Sequence, residues 1–210
     1  MATVFVDYDG TITDRDTFDV LVRRAAGVGV WAAIEAELAN GRRTLRDTLQ
    51  LQASHLHISL DEADRMLRSG VRFDPTFARF VERCAACGHR LTIVSSGIAP
   101  LIRYALARNG LSHVTLVANE VDVTPGGWQI RFEGDSANGT DKLALVRAAR
   151  ERDERTVYVG DGWSDIEAAV ASDVIFAKGG RSLERHLRSI GLPFHRFDRF
   201  EQIDPATLAQ

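Results

Sequence analysis

Three short apolar, β-prone runs in this chain each stop abruptly at a cluster of polar, chemistry-bearing residues. Thr3-Val4-Phe5-Val6 ends at Asp7-Tyr8-Asp9-Gly10-Thr11, and Arg90-Leu91-Thr92-Ile93-Val94 ends at Ser95-Ser96-Gly97. Arg155-Thr156-Val157-Tyr158-Val159 ends at Gly160-Asp161-Gly162-Trp163-Ser164-Asp165. Runs of this kind read as buried strands. Val114-Thr115-Leu116-Val117 and Val174-Ile175-Phe176-Ala177 add two more, and helical periodicity fills the intervals. Strands alternating with helices predict the α/β class, a parallel sheet flanked by helices. Open sheets of that class bind ligands beyond the carboxyl ends of their strands, where all three polar clusters fall.

The first cluster has the makings of a nucleophilic site. A carboxylate at Asp7 can attack phosphorus and form an aspartyl phosphate, which splits one hard hydrolysis into two easier displacements. Asp9 is placed to shuttle protons, giving one to the leaving oxygen and later taking one from water; a raised pKa suits that dual role. Gly10 lets the backbone turn closely past a ligand, and Thr11 offers a hydroxyl and an N–H. A lone Asp-x-Asp-Gly is usually a solvated turn, and the partner clusters argue against that reading here. Asp161 and Asp165 bring further carboxylates, which repel one another unless a cation neutralises them. Hard oxygen donors without His or Cys favour magnesium over zinc. Magnesium bridging Asp7, Asp161 and a phosphate oxygen would screen the anionic nucleophile from its anionic target.

Two further stretches suit the same anion. Ser95-Ser96-Gly97 is followed by Ile98-Ala99-Pro100, which opens a predicted helix, and a helix N-terminus with a hydroxyl beside it is an anion site. Ser95 is the expected phosphate ligand, although an N-cap serine is a common use of the residue. Lys142 lies in the first turn of a helix predicted over 140–152, after Asn138-Gly139. A cation there opposes the helix dipole unless it serves something anionic.

In order and content these four motifs resemble the haloacid dehalogenase superfamily of phosphatases, over essentially the whole chain. The closest likeness is to the branch of phosphoserine phosphatase and the methionine-salvage hydroxyketo-methylthiopentenyl phosphate phosphatase. The resemblance implies a Rossmannoid parallel sheet with an inserted helical cap, and a magnesium-dependent phosphomonoester hydrolase acting on a small-molecule phosphate. It implies that Asp7 is the nucleophile and Asp9 the acid/base whose backbone carbonyl also binds the metal. Asp161 becomes a metal ligand and Asp165 a support of the metal shell or of Lys142. Ser95 and Lys142, with Thr11, Ser96 and Gly97 beside them, become the phosphate ligands. The acid at position 9 argues against the dehalogenases themselves, whose leaving group needs no proton.

Composition agrees with a compact enzyme. At 210 residues and 45% hydrophobic, the chain can bury a full core and carry an inserted module. A formal charge of -3 leaves no electrostatic footprint for nucleic acid. With no twenty-residue apolar run and no charged-then-apolar leader, neither a membrane partner nor export is expected, and a cytoplasmic protein is the default. No motif specifies an oligomeric state. Cys84 and Cys87 fall in a helical pattern and read as core or half-buried thiols, not as a redox or zinc pair.

Between the first and second motifs, Asp16 to about Ser69 has helical periodicity broken at Gly27, Gly29, Gly41 and Ser59, without a strand. Residues 15–71 are therefore the expected cap, inserted in a core of residues 1–14 and 72–210. Pro125-Gly126-Gly127 between apolar segments predicts a hairpin over 120–132. A cap in that position can close over the site and select the leaving group.

Phosphoserine phosphatases, on the same alignment, hold the substrate ammonium with an acid where this chain has Asp16, and the carboxylate with an arginine where it has Gln52. Without that bidentate partner the reason to prefer an amino acid is gone. Arg42, Arg43, His55, Tyr8 and Trp163 are further pocket candidates, with solvated or packing roles as the alternatives. A methionine-salvage intermediate, a phosphocholine-like ester and a sugar phosphate stay open as substrates. Phosphoryl transfer to an alcohol is an alternative on the same fold. So, from another class, is a receiver-like or inactive phospho-ligand-binding module, although receivers are shorter and carry their aspartate on a middle strand of the sequence.

Overall fold

The computed structural model describes residues 1–209. Seven strands form one sheet: β1 (Ala2–Val6), β2 (Arg90–Ile98), β3 (Thr115–Thr124), β4 (Gly127–Arg131), β5 (Arg155–Gly160), β6 (Val174–Lys178) and β7 (His195–Phe197). Their order is β4-β3-β2-β1-β5-β6-β7, and every neighbouring pair is parallel except the β3–β4 hairpin. The chain builds outward from β1 first on one side and then on the other. Strand order thus reverses beside β1, where α/β sheets open a ligand crevice.

The alternation of β1 explains its central place. Val4 and Val6 enter one apolar layer with Phe77, Phe80, Ile93 and Phe200, and Phe5 enters the opposite layer with Val94, Tyr158, Val146 and Leu183. A strand buried on both faces needs helices on both, which α5 (Phe77–Ala86) and α6 (Ala99–Arg108) supply on the first. On the second they are α7 (Lys142–Arg150), α8 (Ile166–Val170) and α9 (Ser182–Ser189).

Four helices occupy the interval between β1 and α5: α1 (Thr17–Ala25), α2 (Val28–Ala39), α3 (Leu45–Ser54) and α4 (Leu60–Gly70). Their starts carry local signals. Asp16 caps α1, Thr44 caps α3, and Ser59 with Glu62 makes a capping box on α4. The linkers on either side of the four helices run side by side: Asp14 N–H donates to the Arg72 carbonyl at 3.0 Å and Asp74 N–H to the Ile12 carbonyl at 2.8 Å. The helices share a third apolar cluster with the hairpin, in which Phe18, Leu21, Leu49 and Leu56 meet Val121, Trp128 and Ile130. Trp128 is fully buried and its indole donates to the Ile58 carbonyl at 2.7 Å. Gly127 is obligatory at this junction, since a Cβ there would lie 2.1 Å from the Ser54 carbonyl oxygen and its φ is +101°.

Four local details differ from the sequence expectation. The strand expected at 114–117 continues without a break into the hairpin, because β3 pairs with β2 along its first half and with β4 along its second; its one antiparallel edge makes the sheet mixed. The helix expected over 140–152 is α7, capped by the Asp141 side chain. β7, three residues long, had no apolar run to mark it. Cys84 is buried as expected, whereas Cys87 caps the end of α5 in solvent and is not half-buried. Among the described residues no helix is long and apolar enough to cross a membrane.

Candidate active site

The carboxyl ends of β1, β2 and β5 bring the motif residues together. Asp7 N–H donates to the Val159 carbonyl at 2.9 Å, so the β1–β5 ladder continues one step past β1 and delivers the Asp7 side chain beside the loop after β5. The Lys142 ammonium reaches the same point from the first turn of α7. It donates to Asp7 Oδ1 at 2.6 Å, Asp165 Oδ1 at 2.7 Å and Ser164 Oγ at 3.3 Å, and is almost fully buried. Burial works against its charge, but Asp165 and Asp7 more than offset that and hold its pKa above the ordinary lysine value. A bare buried ammonium would be too costly to keep, so this lysine is part of an ionic cluster.

Asp165 is fully engaged. Its Oδ1 accepts from Lys142 and from the Tyr158 hydroxyl at 2.8 Å, and its Oδ2 accepts from the Asp161 and Gly162 N–H groups at 3.0 and 2.8 Å. Asp161 is less satisfied. Its Oδ1 receives the Thr11 hydroxyl at 3.4 Å, and Arg181 Nε stands 3.9 Å from Oδ2. Burial and then the Asp165 charge raise its pKa to about 7. Burial and Asp165 likewise push Asp7 well above the ordinary carboxylate range, against the pull of Lys142.

Oxygens of Asp7, Asp161 and Asp165 lie within 4.8 Å of one another. Three carboxylates thus crowd together with one ammonium, which bonds Asp7 and Asp165 and leaves Asp161 unpaired by it, and the excess negative charge calls for a further cation. The donors are all hard oxygens, and no His or Cys belongs to the cluster. With Asp165 already saturated, Asp7 and Asp161 are the carboxylates with lone pairs to spare, a set that fits magnesium. The glycines keep this space open. A Cβ on Gly10 (φ +77°) would lie 2.3 Å from Asp161 Oδ2, and one on Gly160 would lie 2.6 Å from Asp165 Oδ2.

Asp9 faces the other way, towards the helices. Its Oδ1 accepts from both the N–H and the hydroxyl of Thr17, at 2.7 and 2.6 Å, and its Oδ2 accepts from Ser95 Oγ at 3.3 Å. Burial raises its pKa in spite of the Thr17 bonds, as a proton donor requires. Ser95 is buried, and its Oγ also receives the Gly97 N–H at 2.9 Å; a Cβ at Gly97 would stand 2.7 Å from Asp9 Oδ2. These residues lie in an irregular stretch of β2 between Val94 and Ile98, ahead of α6, so they are held by the strand bulge and not by the helix N-terminus. Thr140 donates to the Ser95 carbonyl at 2.6 Å and Asn119 to the Ser96 carbonyl at 2.7 Å. The Ser96 hydroxyl itself bonds the Asn138 carbonyl at 2.7 Å.

A cavity of about 780 Å³ opens above this floor. Asp9, Gly97 and Asp161 form its base, Trp163 and Arg181 its rim on the sheet side, and Asp16, Phe18, Glu35 and Leu49 its wall on the helical side. Asp16 lies in that wall while capping α1. Gln52 is buried behind the wall and donates to Glu35 Oε1 at 2.8 Å. Tyr8, between Asp7 and Asp9, points away into a second cavity between α4 and α6, beside the Asp64–Arg108 ion pair. Arg43 lines the main cavity but is paired with Glu37; Arg42 and His55 are exposed.

Sequence reasoning missed Tyr158, Thr17, Thr140, Asn119, Glu35, Arg181 and Lys178. Lys178 alone left a legible trace. Lys142 and Lys178 are the only lysines in a chain whose other cations are arginines, and Lys178 donates to the Thr11 carbonyl at 2.8 Å, directly behind the site.

Comparison with known proteins agrees with this geometry. The haloacid dehalogenase-like hydrolase family matches residues 4–169. The chain is 34% identical to Pdp3-interacting factor 1 of Schizosaccharomyces pombe, covering 95% of this chain and 92% of that one. It is 29% identical to the polyol phosphate phosphatase PYP1 of Saccharomyces cerevisiae, covering 96% and 90%. A solved structure of a phospho-aspartyl intermediate analogue of phosphoserine phosphatase superposes with a TM-score of 0.72 at 18% identity, covering 94% of this chain and 93% of that one, a likeness of fold. On the extent of the family match and the identity to these relatives, the chain belongs to the haloacid dehalogenase-like hydrolases.

Proposed function

We propose that the protein is a magnesium-dependent phosphomonoester hydrolase that acts on a small alcohol phosphate through an aspartyl phosphate at Asp7. The observation that carries this reading is the buried Asp7–Lys142–Asp165 cluster with Asp9 across from it: Asp7 is bonded by an ammonium, as an anionic nucleophile needs, and Asp9 by the neutral donors of Thr17 and Ser95. Lys142 holds Asp7 Oδ1 and leaves Oδ2 as the attacking atom. Attack of Oδ2 on phosphorus breaks the ester bond, and the departing alkoxide takes the Asp9 proton. In the second half Asp9, now ionised, takes a proton from water as the water oxygen attacks phosphorus. Inorganic phosphate leaves, Asp7 is restored as a carboxylate and Asp9 is again protonated.

Ser95, the N–H groups of the β2 bulge and Lys142 are the groups available to the phosphoryl oxygens, with Thr11 set behind Asp161. Asp7, Asp161 and the Asp9 backbone carbonyl would hold magnesium, whose charge lets an anionic nucleophile approach an anionic ester. Helices α1–α4 serve as the cap. Asp9 hydrogen-bonds to the first residue of α1, so the acid/base is joined to the element that screens the site from water.

A leaving group without a carboxylate suits the wall of the cavity, and the polyol phosphate phosphatase among the relatives supports an alcohol of that kind. The test is phosphate release from a panel of monoesters (polyol phosphates, sugar phosphates, phosphocholine, phosphoserine and the methylthiopentenyl intermediate), with magnesium and with chelator. Release that requires magnesium and is strongest with uncharged alcohols is expected. No release from any ester would overturn the reading.

A further inference from the structure

We infer that Glu35 is the residue that selects the leaving group, by accepting hydrogen bonds from its hydroxyls, and that Gln52 is the positioning residue that aims it. The inference rests on the phosphatase reading above and names the substrate class, a monophosphate of a short polyol.

Three observations converge on Glu35. First, it lines the cavity on the wall opposite the phosphate floor, where the part of a substrate beyond its ester oxygen must lie. Second, it is locked. Gln52 on α3 has almost no exposed surface, yet its amide is spent on Glu35 Oε1 at 2.8 Å, bridging α3 to α2. A buried amide is costly unless it is bonded, and bonding one carboxylate oxygen fixes a rotamer that an unsupported glutamate would lose. The second oxygen, Oε2, has no partner among the described residues and is the one left for a ligand.

Third, the surrounding charges exclude the alternatives. Arg43 is paired with Glu37, and Arg181 sits on the far rim against Asp161 and the Asp14 carbonyl. Arg23 is near enough to pull the Glu35 pKa down, but it stacks on Trp31 and does not line the cavity, so among the lining residues no unpaired cation meets a substrate carboxylate beside Glu35, whose own charge and that of Asp16 repel one. A leaving group rich in O–H donors meets Glu35, Thr44 and Asn138 as acceptors while Phe18 and Leu49 cover its carbon chain. Sites that hydrogen-bond a substrate hydroxyl discriminate strongly against analogues that lack it, because their polar groups are left unpaired.

The experiment measures kcat/KM with magnesium for glycerol 3-phosphate, phosphocholine, phosphoserine and p-nitrophenyl phosphate on the parent, Glu35→Ala, Glu35→Gln and Gln52→Leu. The expected result is a fall of roughly 10- to 100-fold in the ratio of glycerol 3-phosphate to p-nitrophenyl phosphate in Glu35→Ala, carried by KM. Partial recovery is expected in Glu35→Gln, which keeps a neutral acceptor. Gln52→Leu should show a smaller fall of the same ratio, a readout that simple loss of packing would not move. An unchanged ratio in Glu35→Ala would overturn the inference. So would a loss shared equally by all esters, or phosphocholine suffering most, which would make Glu35 an ammonium ligand. If the parent releases phosphate from p-nitrophenyl phosphate while any of these occurs, the phosphatase reading survives and the assignment of Glu35 fails; if the parent releases none from any ester, both fail.

Discussion

The floor and the wall of the cavity are built by different means. The floor residues are placed by backbone: Asp7 by the β1–β5 ladder, Ser95 by a strand bulge pinned through Thr140 and Asn119, and Asp161 by a turn whose N–H groups bind Asp165. The wall residues lie on helices α1, α2 and α3 and at the cap of α1, held locally by the Asp19 N–H on Asp16 or by another side chain, as when Gln52 holds Glu35. Chemistry common to every ester needs placement that substitutions elsewhere cannot disturb, which a sheet supplies. Selection of one alcohol needs side chains that can be exchanged without unfolding the floor, which a surface helix supplies.

That contrast predicts two signatures. Floor substitutions should lower turnover of all esters together, and wall substitutions should change their ranking. The largest effect is expected for Asp7→Asn, a loss of at least about 10³-fold in kcat for every ester, measured as steady phosphate release. Asp9→Asn comes next. Alkyl esters should lose about 10²- to 10⁴-fold, and p-nitrophenyl phosphate far less in its first half-reaction, because its leaving group needs no proton. An equal loss for both in burst-phase kinetics would remove Asp9 from the acid role.

Lys142→Met tests the floor as a structural unit. Removing the ammonium leaves Asp7 and Asp165 buried without their partner, a change worth about 3–5 kcal/mol of stability in denaturant titrations without metal. Preserved stability would mean that the cluster is not held by charge.

The smallest expected effect is on pH dependence. In the folded, metal-free protein Asp161 keeps its proton up to about pH 7, against an ordinary value of 3.8 for the unfolded chain. Between those limits the folded state binds more protons, so stability falls as pH rises. The melting temperature without metal should therefore be higher at pH 5 than at pH 7, and saturating magnesium should raise the pH 7 value more than the pH 5 value, because proton and metal compete for one carboxylate. A melting temperature that rises with pH in chelator would contradict the proposed charge excess.

The floor was legible in sequence because each of its parts is local. Val4-Phe5-Val6 before Asp7, or Val157-Tyr158-Val159 before Gly160-Asp161, states strand, turn and chemistry within a few residues. Residues that act across the fold left no such trace. Tyr158 reads as one more core aromatic until its hydroxyl is seen on Asp165, and Thr140 as a helix-start residue until it is seen on the Ser95 carbonyl. The wall was the least legible. Gln52 was found by its alignment with another enzyme's arginine, whereas its contact with Glu35 depends on how α2 and α3 pack, which periodicity does not specify. The sharing of the β3–β4 hairpin with the helical cluster was hidden for the same reason, since Trp128 and Ile130 look equally suited to the core of the sheet.

In the proposed reaction Asp7 carries the phosphoryl group. Asp9→Asn protein mixed with p-nitrophenyl phosphate and magnesium, quenched in acid and mapped by peptide mass spectrometry, tests it most directly. One phosphoryl group per chain is expected on the peptide containing Asp7, absent when Asp7→Asn is added to the same variant. A phosphoryl group on Ser95 or Ser96, or steady turnover by Asp7→Asn, would contradict it.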